Sequence, residues 1–239
     1  MGFDNSSENY LKSSDHSVGS DLEYFTSYFK DKRFAKAIDV ACAAGHFANV
    51  FPADEVFSTD LSFNMLQTAK KEMGFYMPAL SKAEFLPYKS DTFDLVGCRI
   101  AMHHFRNPCM FMNEVFRVLK NGGLFVLIDS VVGKVEDADL NRLELIRDTS
   151  HHRSLQVEEI IGIAEAENFL LEDVKVFLKL HKFDEWARRL KPSDEQYEAT
   201  CQAFLTLPDK IKKELRLIQN GDKIESYTDK KGFFCFKKP

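Results

Sequence analysis

The sequence predicts an α/β fold built on a mostly parallel open sheet. Three observations carry that prediction. Apolar runs suited to buried strands alternate with stretches of helical period from residue 36 to residue 131. The first run, AIDVACAAGHFANVF at 37–51, breaks into small residues before a helix-like segment. A second run, EVFSTD, ends on an acid, Asp60.

The elements follow in order. Residues 20–32 carry Leu22, Phe25, Tyr28 and Phe29 at helical spacing. A strand is expected over Lys36–Cys42, then a small-residue turn and a short helix from His46. After EVFSTD, the segment SFNMLQTAKKEM reads as a helix with Ser62 as N-cap. Residues 79–86 give a weak strand, and TFDLVGCRIAMHHF a strong strand running into a loop. From Asn107, residues Phe111, Val115, Val118 and Leu119 share a helix face, and Gly122–Gly123 are expected to end that helix. GLFVLIDSVV is a buried strand, NRLELIRDTS and VEEIIGIAEAENF are helices, and VKVFLKLHKF is a strand. The helical segments at about 184–218 read as an insertion before a last strand near ESYTDKKGFFCFKKP. Residues 1–19, rich in Ser, Asn and Asp, read as a flexible lead, and 20–239 as one domain.

Composition narrows the function. The 239 residues carry 32 Lys plus Arg against 37 Asp plus Glu, a net charge of -5. That balance disfavours a broad nucleic-acid surface and favours small-molecule partners. The five cysteines are widely spaced with no CxxC pair, so a reducing, cytoplasmic setting is expected. The polar N-terminus lacks the apolar core of a signal peptide, although MGFDNS matches the bare myristoylation pattern. No apolar stretch is long enough to span a membrane.

In an open α/β sheet, ligands bind beyond the carboxyl ends of the strands. Small residues after the first strand let backbone approach a ligand, and a helix N-terminus offers unpaired N–H groups. Asp60, 21 residues after Asp39, stands where a carboxylate accepts the two hydroxyls of a ribose; a turn acid would serve the same pattern.

The ordered set Asp39-Val-Ala-Cys-Ala-Ala-Gly, STDLSFNML, AEFLPYKSDTFDLV and EVFRVLKNGGLFVLID resembles the class I S-adenosylmethionine (SAM) methyltransferases. It looks most like their type 11 group, typified by the ubiquinone/menaquinone C-methyltransferases, over about residues 36–132. The resemblance implies a Rossmann-like seven-stranded sheet with its last strand antiparallel. It also implies SAM as cofactor, a methyl-transfer activity and a small acceptor. The family's glycine-rich loop falls on Asp39, Ala41, Ala43 and Gly45, under the methionine part of SAM. Its ribose acid falls on Asp60, with Leu61 beside the adenine and Ala83 and Glu84 at the adenine edge. Arg99 and Ile100 fall where the methionine end meets the acceptor.

Two departures stand out. Alanines replace glycines at 41 and 43, so either Ala43 keeps a negative φ or cofactor binding is weakened. Lys82 stands where family members often place Asp.

Two rival functions share the fold. A nicotinamide oxidoreductase would want G-x-G-x-x-G, which is absent; the Tyr28/Lys32 and Tyr227/Lys231 spacings are its only echo. A non-catalytic SAM-fold binding protein is consistent with the alanines. No metal is expected, because no ligand spacing supports one.

On the acceptor side, His103 and the pair His151-His152, with Arg153, are candidate catalytic groups, while His104, which precedes Phe105, reads as a packed or capping histidine. On extended segments, neighbours point to opposite sides, so at most one histidine of each pair readily shares a site. Arg153 would fork onto an acceptor carboxylate, or the TSHHR segment would simply cap a helix from Ser154. The Phe and Met content suggests a partly hydrophobic acceptor under a helical lid that includes Trp186.

Overall fold

A computed structural model describes residues 19–74 and 77–239. The MGFDNS pattern and nearly all of the N-terminal lead lie outside the described residues.

Helix α1 (Ser20–Tyr28) precedes β1 (Phe34–Val40), β2 (Ala53–Asp60), α2 (Phe63–Met73), β3 (Met77–Leu80) and β4 (Phe93–Arg99). Then come α3 (Pro108–Val118), β5 (Leu119–Val131), α4 (Asp137–Arg147), α5 (Val157–Ala166) and β6 (Leu170–Lys182). The chain finishes with α6 (Phe183–Arg188), α7 (Asp194–Leu205), α8 (Asp209–Glu214), β7 (Ile218–Asn220) and β8 (Lys223–Lys237).

The sheet order is β3-β2-β1-β4-β5-β8-β6. Pairings among the first five are parallel, and β8 runs antiparallel to both β5 and β6. The α/β reading with an antiparallel last strand therefore holds. An eighth strand, the short β7, forms a hairpin with the start of β8. The order reverses between β1 and β4, which opens a crevice at their carboxyl ends.

Several boundaries differ from the expected ones. Strand β1 ends at Val40 because Ala41 turns to φ 59° and leaves the sheet. The helix expected from His46 is only a 3-10 turn at Ala48–Val50. Gly122 and Gly123 do not end α3: the chain passes from Val118 directly into β5. Gly122 takes φ 78°, and its N–H donates to the Lys238 carbonyl at 2.8 Å. Ser62 caps α2 as expected, its Oγ accepting from Met65 N–H at 3.3 Å. Helix α5 is capped at Gln156 rather than Ser154; Glu159 accepts from the Gln156 N–H at 2.9 Å.

Two apolar layers clamp the sheet. On one face, Phe25 and Phe29 of α1 pack with Phe47, Phe51 and Phe233. On the other, Phe111 and Val115 of α3 and Ile160 of α5 meet Phe125, Phe234 and Phe236. Each fully buried Phe contributes about 1.5–3 kcal/mol. The inserted helices form a third cluster with α4 and β8, around Phe183, Trp186, Phe204 and Tyr227.

Gly97, in the middle of β4, sets the fit beneath the crevice. A Cβ there would stand 2.4 Å from Phe51 and 2.8 Å from Phe47. Gly97→Ala is expected to cost about 1–3 kcal/mol through overpacking. Urea denaturation, read as a lower midpoint at unchanged slope, measures it.

Candidate active site

The loop after β1 keeps a glycine-type course without glycine. Ala41 and Ala43 sit at φ 59° and 46°, and Gly45 at 89°. Of the two alternatives for Ala43, a negative φ is thus excluded. Each left-handed alanine costs about 1–2 kcal/mol. Backbone bonds hold them there. The Cys42 N–H donates to the Thr59 carbonyl at 2.9 Å. The Ala43 N–H donates to Asp60 Oδ2 at 2.9 Å, while Asp60 Oδ1 takes the Ser62 N–H at 2.8 Å. Asp60 thus ties the loop to the N-terminus of α2. Asp39, fully buried, accepts the Ala48 N–H at 3.1 Å, and burial pushes its carboxyl well above the usual carboxylate range.

Above this loop lies a cavity of about 400 Å³. Asp39, Ala41, Ala43 and Arg99 line it together with Phe47 and Ile100. Gly45, Asp60, Leu61, Ala83 and Glu84 lie outside its wall. Leu61 is 55% exposed beside Asp60, an unusual position for leucine. Ala83 is buried and Glu84 half-buried in the turns after β3.

A second cavity, about 540 Å³, adjoins the first at Arg99 and Ile100, which line both. Arg99 is buried, and its Nε donates to Asp21 Oδ2 of α1 at 2.7 Å. The rest of the second wall is drawn from across the fold: His103, Ser130, Glu144, Arg147, Ser154, Lys179, His181, Trp186, Arg189 and Lys231. Ile100 and Trp186 are the apolar part of this wall. The phenylalanines of the insertion turn into the third cluster, and charged groups face the cavity.

His103 is the one predicted catalytic residue that lines this cavity. Its Nδ1 lies 2.5 Å from Asp129 Oδ1. Burial works to raise the Asp129 pKa, but the charge and hydrogen bond of His103 outweigh it, together with the Ser130 N–H and Lys231. Asp129 is therefore held ionised and can only accept, so the bond to it is donated by His103 Nδ1.

The other histidines are placed differently. His103 and His104 do not diverge: a 3-10 turn at Met102–His104 sets their ring centres 4.1 Å apart. His151 stacks 5.5 Å from His103 and is buried, with Nε2 2.9 Å from Asn141 Oδ1. His152 is exposed, though its N–H and that of Arg153 both donate to the His103 carbonyl. TSHHR thus does face the His103 loop, but through backbone. The Arg153 guanidinium is held by Asp137 and Glu159 on the exposed side, so it does not supply the expected carboxylate fork. Tyr227 and Lys231 share a strand, about 13 Å apart by strand rise, which separates them as a reacting pair.

Comparison with known proteins agrees with this geometry. A family model described as "Methyltransferase domain" matches residues 38–127. An uncharacterized methyltransferase of Bacillus subtilis (strain 168), YcgJ, is 29% identical over 196 residues, covering 78% of each chain. A candidate methyltransferase of Bacillus halodurans C-125 superposes with TM-score 0.88 at 28% identity, over 92% of this chain and 100% of its own. The malonyl-[acyl-carrier protein] O-methyltransferase of Salmonella typhimurium is 24% identical over 159 residues, covering 66% of this chain and 61% of that one.

Residues 38–127 form a class I SAM-dependent methyltransferase domain.

Neither the nicotinamide reading nor the non-catalytic one finds support among these relatives. No helix of the methyltransferase, among the described residues, is long and apolar enough to cross a membrane. Sequence reasoning missed Asp129, which lies inside the predicted strand GLFVLIDSVV and not at its end. Glu144, Arg147, Lys179, Arg189 and Lys231 had no local signal; the tertiary fold brings them together.

The histidine cluster makes the methyltransferase acid-sensitive. Burial is the leading cause that lowers the pKa of His104 to about 3 and of His151 to about 4, and the neighbouring His103 adds to it. The unfolded chain takes up these protons near 6.5, the folded chain only below about 4. Stability is therefore full above pH 6.5 and falls as pH drops toward 4. The slope is at most about 1.4 kcal/mol per pH unit for each histidine. Urea midpoints between pH 7.5 and 5 measure this, and His104→Gln should flatten the slope.

Proposed function

We infer that this methyltransferase holds SAM in the cavity over Ala41–Phe47 and methylates a small acceptor in the adjoining cavity, with His103 as general base. The observation that carries this reading is the His103–Asp129 pair beside the junction of the two cavities.

The residues of the first cavity suit SAM. The left-handed turns at Ala41 and Ala43 bring backbone to the cavity wall. Asp60 is set beside it to take ribose hydroxyls, with exposed Leu61 as a flat apolar neighbour for adenine and Ala83 and Glu84 at the adenine edge. Arg99 is suited to the methionine carboxylate at the junction.

Bound SAM supplies an electrophilic methyl, so the protein has to align the acceptor and remove its proton. His103 Nε2 accepts that proton. Asp129 fixes the tautomer through Nδ1 and stabilises the imidazolium that forms. His104 and His151, neutral at pH 7, brace the ring without adding competing charge. Trp186 and Arg189 line the second cavity, which supports reading the insertion as a lid over the same space. An acceptor that arrives as a phenol, enol or activated carbon acid needs such a base.

His103→Ala is expected to cut turnover at least tenfold, about 1.4 kcal/mol of barrier, with affinity for S-adenosylhomocysteine held within about threefold. Asp129→Asn should act in the same direction and shift the pH–rate profile. SAH formation over a screened panel of phenols and carboxylates reads both, and unchanged turnover in both variants overturns the base assignment.

Asp60→Ala removes the carboxylate from the Ala43 and Ser62 N–H groups and from the ribose. Calorimetry with S-adenosylhomocysteine should show a loss of roughly 1–3 kcal/mol. Full affinity would return Asp60 to a purely structural role.

A further inference from the structure

The second cavity is built around cations. Among the described residues, Arg99, Arg147, Lys179, Arg189 and Lys231 line it, against the carboxylates of Asp21 and Glu144. Counting Asp129 and Asp229, which stand behind His103 and Lys231, cations still exceed carboxylates. Four of these cations come from four places in the fold: the end of α4, the middle of β6, the residue after α6, and β8. Such groups repel one another, and bringing them to one space of low solvent content is unfavourable unless anions complete the set.

Two of the cations have donors left over. Arg147 has a side chain only 11% exposed and lies flat on Trp186, 4.4 Å from the ring centre. Its Nε and Nη2 both donate to Glu144 Oε2, at 3.1 and 2.8 Å. Its Nη1 makes no hydrogen bond among the described residues. Lys231, 12% exposed, donates to Ser130 Oγ at 2.5 Å and Asp229 Oδ2 at 3.0 Å, which uses two of three N–H groups. The neighbouring carboxylates are already neutralised: Glu144 by Arg147, Asp21 by Arg99 and Asp229 by Lys231. A ligand anion therefore meets donors rather than bare negative charge.

We propose that this cavity selects an acceptor bearing an oxyanion, a carboxylate or a phosphate ester, taken by Arg147 and Lys231 with Lys179 and Arg189 beside them. This deepens the methyl-transfer reading and rests on it for the word acceptor. The oxyanion end is anchored at the cations, and the atom to be methylated is left toward His103 and the Arg99–Ile100 junction.

The test uses the whole protein, with and without saturating S-adenosylhomocysteine, and three probes: benzoate, phenyl phosphate and benzamide. Calorimetry should show at least one anion binding tenfold or more tighter than benzamide, and weakening as NaCl rises from 50 to 500 mM. Which anion wins separates a carboxylate site from a phosphate site. Lys231→Gln and the paired change Glu144→Gln/Arg147→Gln, which leaves no orphaned charge, should each weaken that anion at least tenfold. Arg188→Gln, an exposed arginine one residue from Arg189 and outside the cavity, should leave it unchanged. Equal binding of benzamide, no anion binding, or wild-type affinity in both cavity variants overturns the proposal. Failure of S-adenosylhomocysteine itself to bind, with anion binding intact, counts instead against the cofactor site.

Discussion

The buried ion pair between Arg99 and Asp21 sets the geometry on which the site depends. Arg99 closes β4 at the point where the strand order reverses, and Asp21 opens α1. Both side chains are under a tenth exposed. A charge removed from water to this degree is stable only while its partner stays in place. The pair therefore pins α1 across the carboxyl edge of the sheet, and the Phe25–Phe29 layer follows α1 down onto Phe47 and Phe51. The same guanidinium is the common wall of the two cavities.

Beside that wall, backbone strain is held in place by side chains. Ala41 and Ala43 occupy the left-handed region, which alanine avoids. The opposing force is distributed: Thr59 takes the Cys42 N–H, Asp60 takes those of Ala43 and Ser62, and Asp39 takes that of Ala48. Strain persists where the surroundings over-determine a conformation, and such places concentrate at functional sites. The family's loop shape survives here without two of its glycines because these hydrogen bonds do what conformational freedom would otherwise do.

The acceptor side is organised by electrostatics. Glu144 is largely withdrawn from water, yet it is held down to about 2 because Arg147, His151 and Lys231 outweigh the burial that would raise it. Lys231 stays protonated in burial because Asp229, Glu144 and Asp129 surround it. Each charge is kept by the next, so the wall is a linked set and not a collection of separate pairs. Polar networks of this kind fix side chains firmly when satisfied. They also explain why the many phenylalanines do not face the cavity: the apolar side chains of the insertion are spent on holding its helices against α4 and β8.

The family resemblance implied the antiparallel last strand; the sequence by itself determined the alternation of strands and helices, the inserted helices and the loop that follows β1. These are legible because buried strands, amphipathic helices and tight turns leave local periodic or compositional marks. Asp39 and Arg99 were singled out through the family resemblance, Asp60 as an acid closing a strand and His103 in the loop after the TFDLVGC strand. What tertiary structure alone decided is which distant side chains meet. Nothing in the local sequence distinguishes Lys231 from Lys230, yet one faces the cavity and the other turns to Glu136 and Glu214. Arg153 looked like an acceptor ligand and is tied to surface carboxylates; Arg147, which had no local signal, lines the cavity. The physical reason is that strand alternation and helix rotation set each side chain's face only relative to its own element. Packing elements 50 or 100 residues apart then decides which faces enclose a common space.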